Sequence, residues 1–241
     1  MNRAIQTLIL IVGTLPLGCG DAKPAGPAKG KANLAVTVVA VPKTGAKPFK
    51  AYQTDQERAA HASHSTGELE LVNYEHLDEV VVWLDSSGSP AKSTSELRVA
   101  VNPKPAKAPL FATSVGTNAT IENKGAKPMR VYSVSEGNEF DLGSLAPGEA
   151  KSQRLALPGF IELLDGETFD VLARVYVVGG RDARVTRSGE VITFRDLDPG
   201  TYRINAWHER LPGGERSITL APDVVREIDL PIGVNALPKV D

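Results

Sequence analysis

From residue 34 to residue 230 the chain is a train of short runs rich in β-branched residues, repeatedly interrupted by turn-forming clusters. The runs fall at 34–41, 68–72, 80–84, 97–101, 119–121, 130–134, 160–164, 171–178, 191–194, 202–207, 217–220 and 225–230. Ser86-Ser-Gly88, Pro147-Gly148, Pro199-Gly200 and Pro212-Gly-Gly214 stand between them as turns. Many short strands punctuated in this way specify an all-β protein built of β-sandwiches. Only 54–63 has a helix-friendly composition, and that stretch is short and polar.

About two hundred residues of this kind suit one large or two small domains. Resemblances carried by particular segments imply a Greek-key sandwich over 34–178, interrupted by a polar insertion at 42–67, and a smaller sandwich over 179–241. No repeat fixes the register of the first run, 34–41, so it can pair in either unit. The insertion is long for a compact domain. It carries His61 and His64 as His-x-x-His, which a helix would place on one face, within reach of one metal ion; a solvated loop with two ordinary histidines is the plainer reading.

The first residues have a different character. Arg3 is followed by an uncharged, Ile- and Leu-rich stretch up to Leu17, within roughly the 7–15 residues of a secretory apolar segment and short of the roughly 20 that span a bilayer. It ends in Leu15-Pro16-Leu17-Gly18-Cys19, which resembles the lipobox of bacterial lipoproteins, with Pro16 where Leu is usual. The resemblance implies that 1–18 is a signal peptide and that Cys19 becomes the acylated N-terminus, carrying palmitate-type chains. Multiple acyl chains anchor stably, whereas a single chain holds only marginally. Cys19 is the only cysteine, so no intrachain disulfide can form. Residues 19–33 read as a flexible tether of small and polar residues. Gly20, where Asp often marks inner-membrane retention, points to the outer membrane, facing the periplasm.

Several later segments resemble the cupredoxin-like proteins of the methylamine-utilisation or plastocyanin-like kind. The segments are Val80-Val-Val-Trp-Leu-Asp85, Asn123-Lys-Gly-Ala-Lys-Pro-Met-Arg-Val-Tyr-Ser133, Phe140-Asp-Leu-Gly143, Pro147-Gly148 and Leu157-Pro-Gly-Phe160. The implied fold is an immunoglobulin-like or cupredoxin-like sandwich. Type 1 copper needs two imidazoles and a thiolate, with a weak axial thioether. Where the family has its first His this chain has Met129, and the family's Cys-x-x-His falls on Leu164 and Glu167. With no cysteine in the body, a thiolate copper site is excluded by inventory, and no cofactor is expected.

Residues 189–209 resemble the carboxypeptidase regulatory-like, or transthyretin-like, sandwich. Phe194 and Leu197 read as apolar anchors around the Pro199-Gly200 bend, and Tyr202, Ile204 and Ala206 should share one strand face with Trp207 opposite or at the strand's end. His208 and Glu209 are a tempting acid–base pair, but neighbours on a strand diverge, so a structural role near a sheet edge is expected. His76 is expected to be exposed.

With 27 basic and 29 acidic residues the chain has no basic excess, so nucleic acid is not an expected partner. Nucleophile-elbow, P-loop, zinc-protease and dinucleotide motifs are absent from the sequence. The sequence therefore points to a non-catalytic envelope lipoprotein that binds a protein or glycan partner. The alternative is a metal-handling protein with a rebuilt site drawn from Met129, His61, His64 and Glu167.

Overall fold

The computed structural model describes residues 26–42, 74, 76–86 and 96–233. Among them lie fifteen strands and no helix. The strands are β1 (Ala32–Ala40), β2 (Val80–Ser86), β3 (Glu96–Val101), β4 (Leu110–Ser114), β5 (Asn118–Asn123), β6 (Met129–Ser133), β7 (Phe140–Leu145), β8 (Ala150–Arg154), β9 (Gly159–Asp165), β10 (Val171–Val178), β11 (Arg181–Thr186), β12 (Val191–Leu197), β13 (Gly200–His208), β14 (Leu211–Leu220) and β15 (Val225–Ile232). They form four sheets, ordered β12-β1-β15, β11-β2-β13-β14, β3-β5-β8 and β4-β10-β9-β6-β7. The protein is all-β, and the sheets pack in pairs around two separate cores.

In the first sandwich, the alternation of β1 turns Ala32, Leu34, Val36 and Val38 inward. They meet Val80, Val82 and Leu84 from β2, and Tyr202, Ile204 and Ala206 from β13. β1 lies in the middle of its sheet, antiparallel to β12 and parallel to β15. Phe194, Leu197 and Tyr202 are core residues, as the sequence motif implies, and the Tyr202 hydroxyl donates to the Asp198 carbonyl at 2.8 Å.

The second sandwich is contiguous, β3 to β10. Val99, Val101 and Ile121 of one sheet pack on Val131, Ile161, Leu163, Val175 and Val177 of the other. β3 runs parallel to β5, and β4 parallel to β10. Parallel neighbours cannot be joined by hairpins, so the chain crosses between the sheets, as a Greek-key arrangement requires.

The division expected at residue 178 is therefore corrected. β1 and β2 belong with β11–β15, and the sandwich of residues 96–178 is inserted between β2 and β11. The physical reason is β15. Its parallel register with β1, from Asn33↔Val225 to Ala40↔Ile232, buries a strand that local sequence could have placed in either unit. The tether expectation changes too. Part of 19–33 is docked, because the Ala28 amide donates to Asp196 (2.7 Å), the Gly30 amide to Asp223 (2.7 Å), and Lys31 pairs with Asp198 (2.6 Å). Strands β4, β7, β8 and β11 were absent from the expected set. Each lies at a sheet edge and is recruited by its neighbour more than by its own apolar content. The run at 68–72, the helix-friendly 54–63, Cys19, His61 and His64 lie outside the described residues.

Candidate functional site

The pairing registers give the molecule two ends. The docked segment 28–31, the β12–β13 turn with Asp198 and the β14–β15 turn with Asp223 share one end of the first sandwich. β2 runs antiparallel to β13, so Ser86 lies beside Tyr202 near that end and Val81 beside Trp207 toward the other. Both connections to the inserted sandwich, after β2 and before β11, therefore leave from the end that holds residues 28–31. The inserted sandwich folds back alongside, because Arg174 of β10 reaches Glu79 and Glu209 at the far end. Consequently the β9–β10 turn, the start of β6 and the segment before β4 all lie at the end opposite residues 28–31.

A seam of aromatic and charged residues joins the two sandwiches. Tyr176 of β10 stacks on Trp207 of β13 with ring centroids 4.1 Å apart and planes 22° apart. Trp83 of β2 and Phe160 of β9 flank that pair at 6.0 and 5.5 Å. Val81 is 0% exposed yet belongs to neither core, as an outward-facing β2 residue covered at this seam would be. Burial raises the Tyr176 phenol pKa above its ordinary value. Beside the rings, the Arg174 guanidinium donates to both Glu79 carboxylate oxygens at 2.8 Å, to Glu209 at 2.9 Å and to the Ala108 carbonyl at 2.8 Å. Gly180 crosses tight against β2, where a Cβ would meet Asp85 Oδ1 at 2.2 Å, the Leu84 carbonyl oxygen at 2.4 Å and Trp83 Cδ1 at 2.6 Å.

This seam accounts for the Trp207-His208-Glu209 triplet. Trp207 does point away from the strand face of Tyr202, Ile204 and Ala206, but it meets the inserted sandwich, and β13 is an interior strand instead of an edge. Glu209 is held by Arg174 and does not pair with His208. His208 is half-buried, and its Nδ1 accepts the Arg210 amide at 3.1 Å. Burial lowers its pKa, helped by Arg210 and Lys107 and opposed by Glu209 and Glu79. His76 is exposed, as expected.

The positions that carry copper ligands in the family are scattered in role. Met129, 6% exposed, packs into the second core. Leu164 sits in β9, half-buried, opposite Tyr132. Glu167 is exposed in the β9–β10 turn. The β6–β9 register, Val131↔Asp165 and then the Gly166 amide on the Arg130 carbonyl, brings Met129 and Glu167 to the same end of adjacent strands. A core thioether, a leucine and a solvated carboxylate do not make the soft trigonal set that copper needs. Among the described residues, no cluster of three or more His, Cys, Asp or Glu gathers to hold a metal ion.

Around these positions the motif residues tie turns together. Asn123, fully buried, donates to the Lys127 and Leu145 carbonyls at 2.8 and 2.9 Å, and its Oδ1 accepts the Gly125 amide at 2.7 Å. In Phe140-Asp-Leu-Gly143, Asp141 pairs with Arg130 and accepts the Gly143 amide at 2.8 Å. Arg130, then the Gly143 amide, hold the Asp141 carboxyl below its ordinary pKa. Asp165 Oδ1 accepts the Glu167 and Thr168 amides at 2.8 and 3.1 Å, closing the β9–β10 turn.

No family model matches this chain, and no curated protein does. Among solved structures it is similar to a purple cupredoxin from Nitrosopumilus maritimus, at 15% identity and a TM-score of 0.30, over 34% of this chain and 99% of that one. Two singly substituted amicyanins in the Cu(I) form are also similar. One has 18% identity, a TM-score of 0.29 and coverage of 40% of this chain and 99% of that one. The other has 20% identity, a TM-score of 0.29 and coverage of 42% and 100%. Likeness of this size carries nothing about ligands. The architecture rests on the sheets and cores described above.

Glu79, Arg174, Tyr176 and Phe169 were not picked out by the sequence reading. Arg174 and Tyr176 occupy the positions of β10 that alternate with the core residues Ala173, Val175 and Val177, so their outward direction was readable once that strand was. What they face was not, because the partner strand is thirty or more residues away in sequence.

Proposed function

We propose that this protein is an exported lipoprotein, acylated at Cys19, whose two sandwiches form a non-catalytic binding or accessory module for a glycan or protein partner in the cell envelope. It is cupredoxin-like in its inserted sandwich and works without copper. The observation that carries this reading is the polarity of the molecule. The segment leading back to Cys19 is pinned by Asp196, Asp198 and Asp223 at one end, and the turns that replace the copper loops lie at the other. An anchored chain built this way presents those turns away from the bilayer. The seam of Tyr176, Trp207 and Arg174 supports the same reading, because it couples the outer sandwich to the anchored one.

The test is metabolic labelling of the full chain with an alkyne fatty acid in a bacterial host, followed by membrane fractionation. Label that is present in the wild type and absent in Cys19→Ser, with the variant leaving the membrane fraction, supports the proposal. An unlabelled chain that fractionates as soluble protein overturns the anchor. Stoichiometric Cu(I) that is lost with Met129→Ala would replace the binding module by metal handling.

A further inference from the structure

The stretch that leads back to Cys19 is pinned early. Asp196 and Asp223 accept the Ala28 and Gly30 amides at 2.7 Å each, and Asp198 takes Lys31. Only the eight residues 20–27 then separate Cys19 from the first pinned amide, and fully extended they reach about 30 Å. The nine-residue β1 is itself about 30 Å long, so the opposite end of the molecule lies as far again from Cys19. A body held on so short a lead turns the end with residues 28–31 toward whatever holds Cys19.

That end carries apolar side chains in fixed positions. β9 begins at Gly159 beside Val177, next to the connection into β11, and β6 runs antiparallel to β9, so the loops 134–139 and 155–158 both open there. Ala156, Leu157 and Pro158 are exposed in a row, with Leu157 at 51% and Val134 at 67%. The buried Asn138 ties the two loops together. Its Nδ2 donates to the Leu157 carbonyl at 3.0 Å, and its Oδ1 accepts the Ala156 and Leu157 amides at 3.2 and 3.4 Å. Leu157 also lies over Gly137, where a Cβ would come within 2.5 Å of its Cδ1. A buried amide is thus spent on holding an apolar side chain at the surface. On the first sandwich, Val224 is exposed beside the pinning residue Asp223.

We propose that this end rests on the lipid bilayer that holds the acyl chains, with Leu157 and Val134 entering its interface from the inserted sandwich and Val224 from its host. The proposal deepens the anchored reading above and rests on acylation of Cys19. Exposed apolar side chains scattered singly need no partner, and by themselves these three would hold a soluble protein to lipid only weakly. The short lead changes the balance, because it makes contact with the surface an intramolecular event at high effective concentration. The contact is apolar and does not depend on headgroup charge. Lys31 is paired with Asp198, and the loops 134–139 and 155–158 hold Glu136 and Glu139 but no basic residue. The surface should therefore seat on zwitterionic lipid and gain nothing from anionic lipid.

The test uses the full-length acylated chain in phosphatidylcholine vesicles, with a single cysteine introduced and carrying a fluorophore; acylation occupies Cys19, the only native cysteine. Lipids brominated just below the headgroup should quench a fluorophore at Ala156→Cys. They should leave one at Glu167→Cys, exposed at the opposite end, bright. Leu157→Ser, added to the Ala156→Cys chain, should remove most of the quenching while the circular dichroism stays that of wild type, since the side chain is half in solvent. Equal quenching at both sites, quenching undiminished by Leu157→Ser, or quenching that appears only when phosphatidylglycerol is added would each overturn the proposal. A chain that takes no acyl chain refutes the anchor on which this surface depends. An acylated chain whose fluorophore at Ala156→Cys stays as bright as that at Glu167→Cys refutes the surface alone.

Discussion

The ring of Tyr176 lies against the ring of Trp207, 4.1 Å between centroids, although one residue belongs to the inserted sandwich and the other to its host. Stacked aromatic pairs contribute about 0.5–1.5 kcal/mol beyond their buried area. A double-mutant cycle with Tyr176→Ala and Trp207→Ala should therefore return a coupling energy of about 1 kcal/mol in urea unfolding. Additive single effects would mean that the seam is not a contact that folding uses.

Arg174 is the most heavily engaged charge at the seam, and its side chain is only 13% exposed. Arg174→Met keeps the aliphatic bulk but leaves the half-buried Glu79 with only the exposed Lys107, 3.1 Å away, as partner, and it should cost about 1–2 kcal/mol of stability. Glu209, more than half exposed, contributes less, and Glu209→Gln should cost about 0.5 kcal/mol or below. Chemical denaturation of both variants checks the order. Equal costs would contradict the burial argument.

Asn123 fixes the turn that the family resemblance places in the copper loop, with both ends of its amide engaged. Asn123→Ala strands the Leu145 and Lys127 carbonyls and the Gly125 amide, and it should destabilise the inserted sandwich by about 2–3 kcal/mol. Hydrogen exchange should show the loss on β5–β7 and spare β1 and β15. A uniform loss across both sandwiches would mean that they unfold as one unit.

His208 gives a pH dependence of known sign. Burial depresses its folded pKa below the ordinary 6.5, so the unfolded chain takes the proton first as pH falls. Its contribution is fully present above the unfolded value and is lost as pH drops through 6.5 toward the folded pKa. Asp141 and Asp198, whose pKa values are also lowered, act from about pH 5 downward and leave that window largely clear. His208→Gln should flatten the slope of melting temperature against pH between about 5 and 7. An unchanged slope would assign it to another group.

Legibility followed the range of the interaction. The turn-and-anchor motif from Phe194 to Tyr202 could be read because its parts lie within nine residues, and period-two alternation put Tyr202, Ile204 and Ala206 on the buried face as expected. β8 was missed because Ala150–Arg154 has no buried residue; it is a strand because β5 offers an edge to pair with.

By itself the sequence determined the β class, the turn positions, the inward faces of the strands and the lack of a thiolate in the body, since all of these follow from local composition and alternation. Tertiary structure alone decided that β1 joins β15 across almost two hundred residues, that one sandwich sits inside the other, and that Arg174 meets Glu79 and Glu209. An inward apolar strand satisfies any sheet that completes its hydrogen bonds and covers its face, so its partner is chosen only when the competing sheets close.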